Sequence, residues 1–162
     1  MRWKGLLMVA MVVCGQLQTA MATQEETLPQ VVGRVADYAG IISLSQIHLL
    51  EQISSQHEFI SKQRVAVVTI ESSGAISPRH YAEQLHRNWD NERRDSGVVL
   101  VLYKMQRSAA IAVGEALRGK LNEAQVTAII SGEVGAKMRS GAFDEAAMDG
   151  FKAILGQLAE EH

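Results

Sequence analysis

Four acids in this chain of 162 residues stand where acids can do chemistry. They are Asp37 in GRVADYAGIIS, Asp95 in RRDSGVVLVLY, Glu123 in LNEAQ and Asp144 in GAFDEA, each at the end of an expected element. Two or three carboxylates brought together would make a site for a hard cation, because Ca²⁺ and Mg²⁺ take oxygen ligands. Arg93 and Arg94, directly before Asp95, would add a hold on a phosphate oxygen. Each acid also has an ordinary structural use. Glu123 and Asp144 sit at helix starts, where the dipole favours negative charge. Asp95 suits a tight turn, since its side chain can bond the backbone two residues on. On the residues alone, both uses stay open.

Other chemistry is sparse. His48 and Glu51, and likewise His80 and Glu83, are three residues apart and could form half of a metal site, but exposed helix faces account for them as well. Gly114-Glu-Ala-Leu-Arg-Gly119-Lys120 has the spacing of a phosphate loop. Leu121, however, stands where Mg²⁺ binding needs a hydroxyl, and the next helix begins only at Asn122, too late to aim its N-terminus at an anion. No nucleotide site is therefore expected. The chain has no Gly-x-Ser-x-Gly elbow, and its single cysteine, Cys14, lies in the leader.

That leader reads as an export signal. Arg2 and Lys4 precede an apolar run from Gly5 to Gly15, and Ala20-Met21-Ala22 offers the small-x-small pattern of a cleavage site. The run is shorter than the roughly 20 residues that span a bilayer. Residues 1–22 are read as a signal peptide cleaved after Ala22, residues 23–30 as a flexible leader, and residues 31–162 as the domain. A periplasmic or secreted protein follows. Without Arg2 and Lys4 the mature chain carries 14 basic against 18 acidic residues, which argues against nucleic-acid binding. No later stretch is long and apolar enough for a membrane span.

The elements that must position the acids follow from pattern. Val31–Val35 is a short extended piece. Ser43 and Gln46 form a capping box for a helix reaching about Ser61. RVAVVTIE (64–71) and GVVLVLY (97–103) read as strands buried on both faces. Ser77-Pro78 starts a helix carrying Tyr81, Leu85 and Trp89 on one stripe. Residues 109–113 pair back as a hairpin after a five-residue link. Asn122 and Gln125 cap one helix ending before Gly141, and another starts near Phe143. Two buried strands joined by a helix imply a parallel crossover. The fold class is α/β: a three-layer α/β/α sandwich with a small mixed sheet of about four strands and helices on both faces. It is Rossmann-like, without a dinucleotide motif.

In order and spacing, GRVADYAGIIS, QRVAVVTIES, YAEQLHRNWDNERRDSGVVLVLY, IAVGEALRGKLNEAQVTAII and GAFDEAAMDGFKAI resemble the TPM-domain family. The resemblance covers residues 31–156 and implies an exported domain of the derived fold. It also implies divalent-cation binding (Ca²⁺ or Mg²⁺) in some members and acid phosphatase activity in others. The family's two acids map onto Asp37 and Asp95, which are expected as neighbours and as metal ligands. The chain departs from the pattern at WDNERRDSG, where members carry glycines, and at Asn122-Glu123, where Thr-Asp is usual. Two functions follow. One is an accessory domain that docks on an envelope protein partner, with or without a cation. The other is a metal-dependent phosphomonoesterase using Asp37 and Asp95, with Arg93 or Arg94 orienting phosphate.

Overall fold

The computed structural model describes residues 28–89 and 94–160; the expected signal, residues 1–22, lies outside them. Four strands lie side by side in chain order: β1 (Val35–Asp37), β2 (Arg64–Ile70), β3 (Gly97–Tyr103) and β4 (Ser108–Val113). The first three are parallel, and β4 turns back antiparallel to β3 through Lys104–Arg107.

Successive side chains of a strand point to opposite faces, and both faces here are covered. Val65, Val67, Val98, Leu100 and Leu102 point to a core filled from α1 (Leu44–Ser61), α3 (Glu123–Ile129), α4 (Gly135–Ser140) and α5 (Phe143–Ala159). Leu50, Met138, Phe151 and Ile154 are the main contributions from those helices. Ala66, Val68, Val99, Val101 and Tyr103 face the other way, against Tyr81, Ala82, Leu85 and Trp89 of α2 (Pro78–Asn88) and its C-cap. Tyr81 meets Tyr103 edge to face at 5.9 Å, and the Tyr103 hydroxyl donates to the Pro78 carbonyl at 2.7 Å. The expected three-layer sandwich is therefore present. Among the described residues no helix is long and apolar enough to cross a membrane.

The helix caps stand where the local signals placed them, but the capping box expected at Ser43 is only half made, because the Ser43 amide goes to Asp144 and not to Gln46. Ser43 Oγ accepts from the Gln46 amide, Ser77 Oγ from the His80 amide with Pro78 at the first helical position, and Asn122 and Gln125 bond reciprocally. Two expectations need correction. The first strand is Val35–Asp37 and not Val31–Val35: Gly33 takes φ +76°, which breaks the extended run, and Val32 is exposed. Leu28 and Val31, on either side of the leader's end, pack against the α2-side core. The helix after Asn122 is also not continuous. A π-type turn, Ile130–Val134, separates α3 from α4, with Gly132 at ψ −131°.

That turn brings backbone close to Gly135. A Cβ there would lie 2.6 Å from the Ile130 carbonyl oxygen, whereas one at Gly156, on the exposed side of α5, would meet nothing within 4 Å. Alanine is the better helix former by about 1 kcal/mol, so the two positions should respond with opposite sign. Gly156→Ala is expected to raise unfolding free energy by about 0.5–1 kcal/mol. Gly135→Ala should lower it by about 1–3 kcal/mol through overpacking. Urea denaturation of the two variants is the check, and stabilisation by both would refute the tight turn.

Candidate functional site

The carboxyl end of the parallel strands holds Asp37, level with Thr69 on β2. Its two carboxylate oxygens accept the Ile41 and Ile42 amides at 3.1 and 3.2 Å, and the buried Thr69 hydroxyl donates to Oδ1. Thr69 Oγ1 in turn accepts the Ala39 amide at 3.0 Å, and the Thr69 carbonyl accepts the Tyr38 amide at 3.2 Å. Asp37 and Thr69 together close the loop that starts α1. Asp144 serves the same region: its Oδ1 accepts the Ser43 amide at 2.8 Å, and its carbonyl accepts the Gln46 side-chain amide at 3.3 Å. Both acids thus satisfy backbone donors that would otherwise be orphaned at the helix start.

Asp95 sits at the other end of the sheet, in a one-turn 3₁₀ helix, Arg94–Ser96, that enters β3. It is exposed, and among the described residues nothing bonds its carboxylate. Arg93 lies outside the described residues, and of Arg94 only the backbone position is known. Close by, the buried His86 places Nε2 3.1 Å from the Gly97 carbonyl; a carbonyl only accepts, so Nε2 carries the hydrogen. The Arg64 guanidinium lies 4.8 Å from the Trp89 ring centre, and Arg34 grips Glu58 with two nitrogens at 3.1 and 2.7 Å. Arg34, Glu58, Lys62 and Ser96 border a hollow of about 600 Å³. His86 is a site neighbour that sequence reasoning missed, because only the α2 crossover brings it to the start of β3.

The structure does not bring Asp37 and Asp95 together. Asp37 is level with Thr69 and so with Leu102, whereas Asp95 precedes Gly97, which is level with Arg64. Five residues of strand at about 3.3 Å each, and two strand spacings of about 4.8 Å, keep the acids more than about 15 Å apart. One cation cannot be held by both, since its ligands lie at about 2.3–2.6 Å for Ca²⁺ and nearer for Mg²⁺. Among the described residues no three His, Cys, Asp or Glu side chains gather around a common point. Asp37 and Asp95 as a pair do not fit a shared metal. The sequence's other outliers have ordinary surroundings. Gly114 caps a 3₁₀ turn over Glu115–Leu117, Lys120 Nζ donates to the Leu158 carbonyl at 3.3 Å, and His80 lies beside Glu83 and Gln84 on the α2 surface.

A larger hollow lies elsewhere. A groove of about 940 Å³ touches every residue of β4, from Ser108 to Val113. Consecutive strand residues point to opposite faces, so a cavity reaching all six runs along the strand's edge. One wall is α2, with Arg79, Glu83, His86 and Arg87; the other is α3 and the π turn, with Glu123, Val126, Thr127 and Ser131. Arg79 crosses between the walls, bonding Glu123 through two nitrogens at 2.6 and 3.0 Å and Glu83 at 3.2 Å. The Glu83 hydrogen bond, then the Glu123 charge, push this guanidinium above its ordinary value.

The groove floor is polar in a particular way. Gly114 donates to the Gly97 carbonyl at 2.8 Å, which fixes the ladder's parity. Residues 108, 110 and 112 then bond β3, and Ala109, Ile111 and Val113 turn their N–H and C=O groups outward. Among the described residues none of those six groups has a partner, and the buried Ser108 hydroxyl has none either. No motif marks this site. Its trace in the sequence is that residues 109–113 close a hairpin and so end a sheet.

These features define an α/β/α domain with a parallel core and one antiparallel edge strand. A family model described as the TPM domain matches residues 35–157. The chain belongs to the TPM-domain family. Among solved structures it is similar to the N-terminal domain of a protein from P. gingivalis, studied by NMR in solution, at 28% identity and TM-score 0.69, covering 79% of this chain and 85% of that one. It also resembles the N-terminal domain of the cg2496 protein from Corynebacterium glutamicum at 16% identity and TM-score 0.62, with 84% and 88% covered; this second likeness speaks for the fold alone. No curated protein matches the chain.

The two family acids should separate in a stability measurement. Asp37→Ala leaves two backbone amides and the Thr69 hydroxyl without their acceptor and is expected to cost about 1–3 kcal/mol. Thr69→Val should cost a similar amount, and the double variant less than the sum because the groups share one network. Asp95→Ala should stay within about 0.5 kcal/mol of the parent. Chemical denaturation checks all four proteins; equal losses at Asp37 and Asp95 would contradict the described geometry.

Proposed function

We propose that this chain is a non-catalytic accessory module, exported to the periplasm or beyond, that supports an envelope complex by docking a protein partner in the groove along β4. The observation that carries this reading is the row of unpartnered backbone groups on the floor of the groove of about 940 Å³. Buried or recessed backbone donors and acceptors are nearly always paired, so a row of free ones invites a partner. The phosphatase reading, which the family model's name echoes, finds less support. A nucleophile and a base must lie within hydrogen-bond reach of each other. Asp37 instead holds a loop, and Asp95 stands at the opposite end of the sheet.

The test combines turnover and contact. Purified protein is expected to hydrolyse p-nitrophenyl phosphate no faster than buffer with Ca²⁺ or Mg²⁺ present. A photo-crosslinking residue at Thr127, on the groove wall, should yield a discrete adduct in cells of the source organism. The same residue at the exposed Lys152 of α5 should not. Metal-dependent hydrolysis that disappears in Asp95→Ala, or adducts equally frequent at both positions, would overturn the reading.

A further inference from the structure

We infer that the occupant of the β4 groove is an extended, acid-flanked peptide segment that adds to the sheet as a fifth strand, antiparallel or parallel to β4. This rests on the docking reading above and specifies its partner. Ala109, Ile111 and Val113 present alternating N–H and C=O groups at strand spacing along about 14 Å of edge. A helix satisfies its own backbone groups and has none to offer them; an extended chain of five or six residues matches them one for one.

A second copy of this chain does not fit the groove. The edge is recessed between α2 and the α3 wall, with residues 109–112 only 4–7% exposed. Two such recessed edges cannot approach to the roughly 4.8 Å that strand pairing needs. A single unwalled segment can. Space over the strand is available because β4 is built of small residues, with Ala109, Ala110 and Ala112 beside the entering chain.

Charge selects among segments. The walls carry Arg79, Arg87 and Arg118 against Glu83 and Glu123, and both glutamates are already on Arg79. Arg118 meets Glu115 in an exposed pair, and among the described residues Arg87 has no carboxylate partner. Acidic residues flanking an extended core would meet this surplus, and basic ones would be repelled.

Two pools of acetylated octapeptides provide the test, both with Ala, Val or Thr at the six central positions, one flanked by Glu and the other by Lys. Addition of the Glu-flanked pool to the full chain should slow amide exchange at Ala109, Ile111 and Val113 by about tenfold or more, with Ala110 and Ala112 unchanged because they already bond β3. The Lys-flanked pool should bind about tenfold more weakly. Peptides N-methylated at all six central residues, which have no N–H left on either edge of the strand, should leave the three amides exchanging as they do in buffer. Thr127→Trp, which fills the groove from an exposed helix position, should abolish the effect while leaving the thermal midpoint unchanged. No change at the three amides with either pool, or equal binding by the N-methylated peptides, would overturn the inference. Shifts confined to Thr127 and Arg87 would do so as well, while leaving docking in the groove intact.

Discussion

Strand β3 must be buried on both faces. All seven residues from Gly97 to Tyr103 are buried, and Val98 through Tyr103 are completely covered. A run of that kind needs a helix layer on each side and a hydrogen-bonded neighbour at each edge. The chain meets the first need with α2 on one face and α1, α3, α4 and α5 on the other. It meets the second with β2 in parallel and β4 in a hairpin. Once β4 follows β3 so closely, no further strand among the described residues covers its far side, and its own edge becomes the floor of a groove. The open ladder is a consequence of sealing β3.

The same topology decides what the family's acids can do. In parallel strands, residues that end one strand and residues that precede another lie at opposite ends of the sheet. Asp37 ends β1 and Asp95 precedes β3, so their separation is built into the order of elements. Asp37 is held in a closed set of bonds with Thr69, Ile41 and Ile42 and acts as the fastening of the loop into α1. Asp95 has no such ties and shares its end of the sheet with His86, Trp89, Arg64 and the Arg34–Glu58 pair. Chemistry that needs both acids at once has no geometry here.

Much of this was readable from the residues. The limits of β3, the helix starts at Ser43, Ser77 and Asn122, and the hairpin all came from local rules that tertiary packing did not override. The first strand was misplaced because Val31 and Val32 look extended, while the left-handed Gly33 decides where pairing begins. The break at Gly132 was hidden because Val126, Ile129, Ile130 and Val134 keep an apolar stripe across it, and hydrophobic spacing does not report one inserted residue in a turn. The neighbourhood of Asp37 and Asp95 was assumed from a family pattern, although the strand order already argued against it. The groove had no motif at all: unpaired backbone is a property of position in the sheet, not of side-chain type.

The most direct measurement is amide hydrogen exchange on the free protein. If β4 offers an open ladder, the amides of Ala109, Ile111 and Val113 will exchange orders of magnitude faster than those of Ala110 and Ala112, which bond β3. Alternation of that kind along five residues is the signature of one bonded and one open side. Uniform protection along β4 would contradict it, and would mean that the edge is already closed.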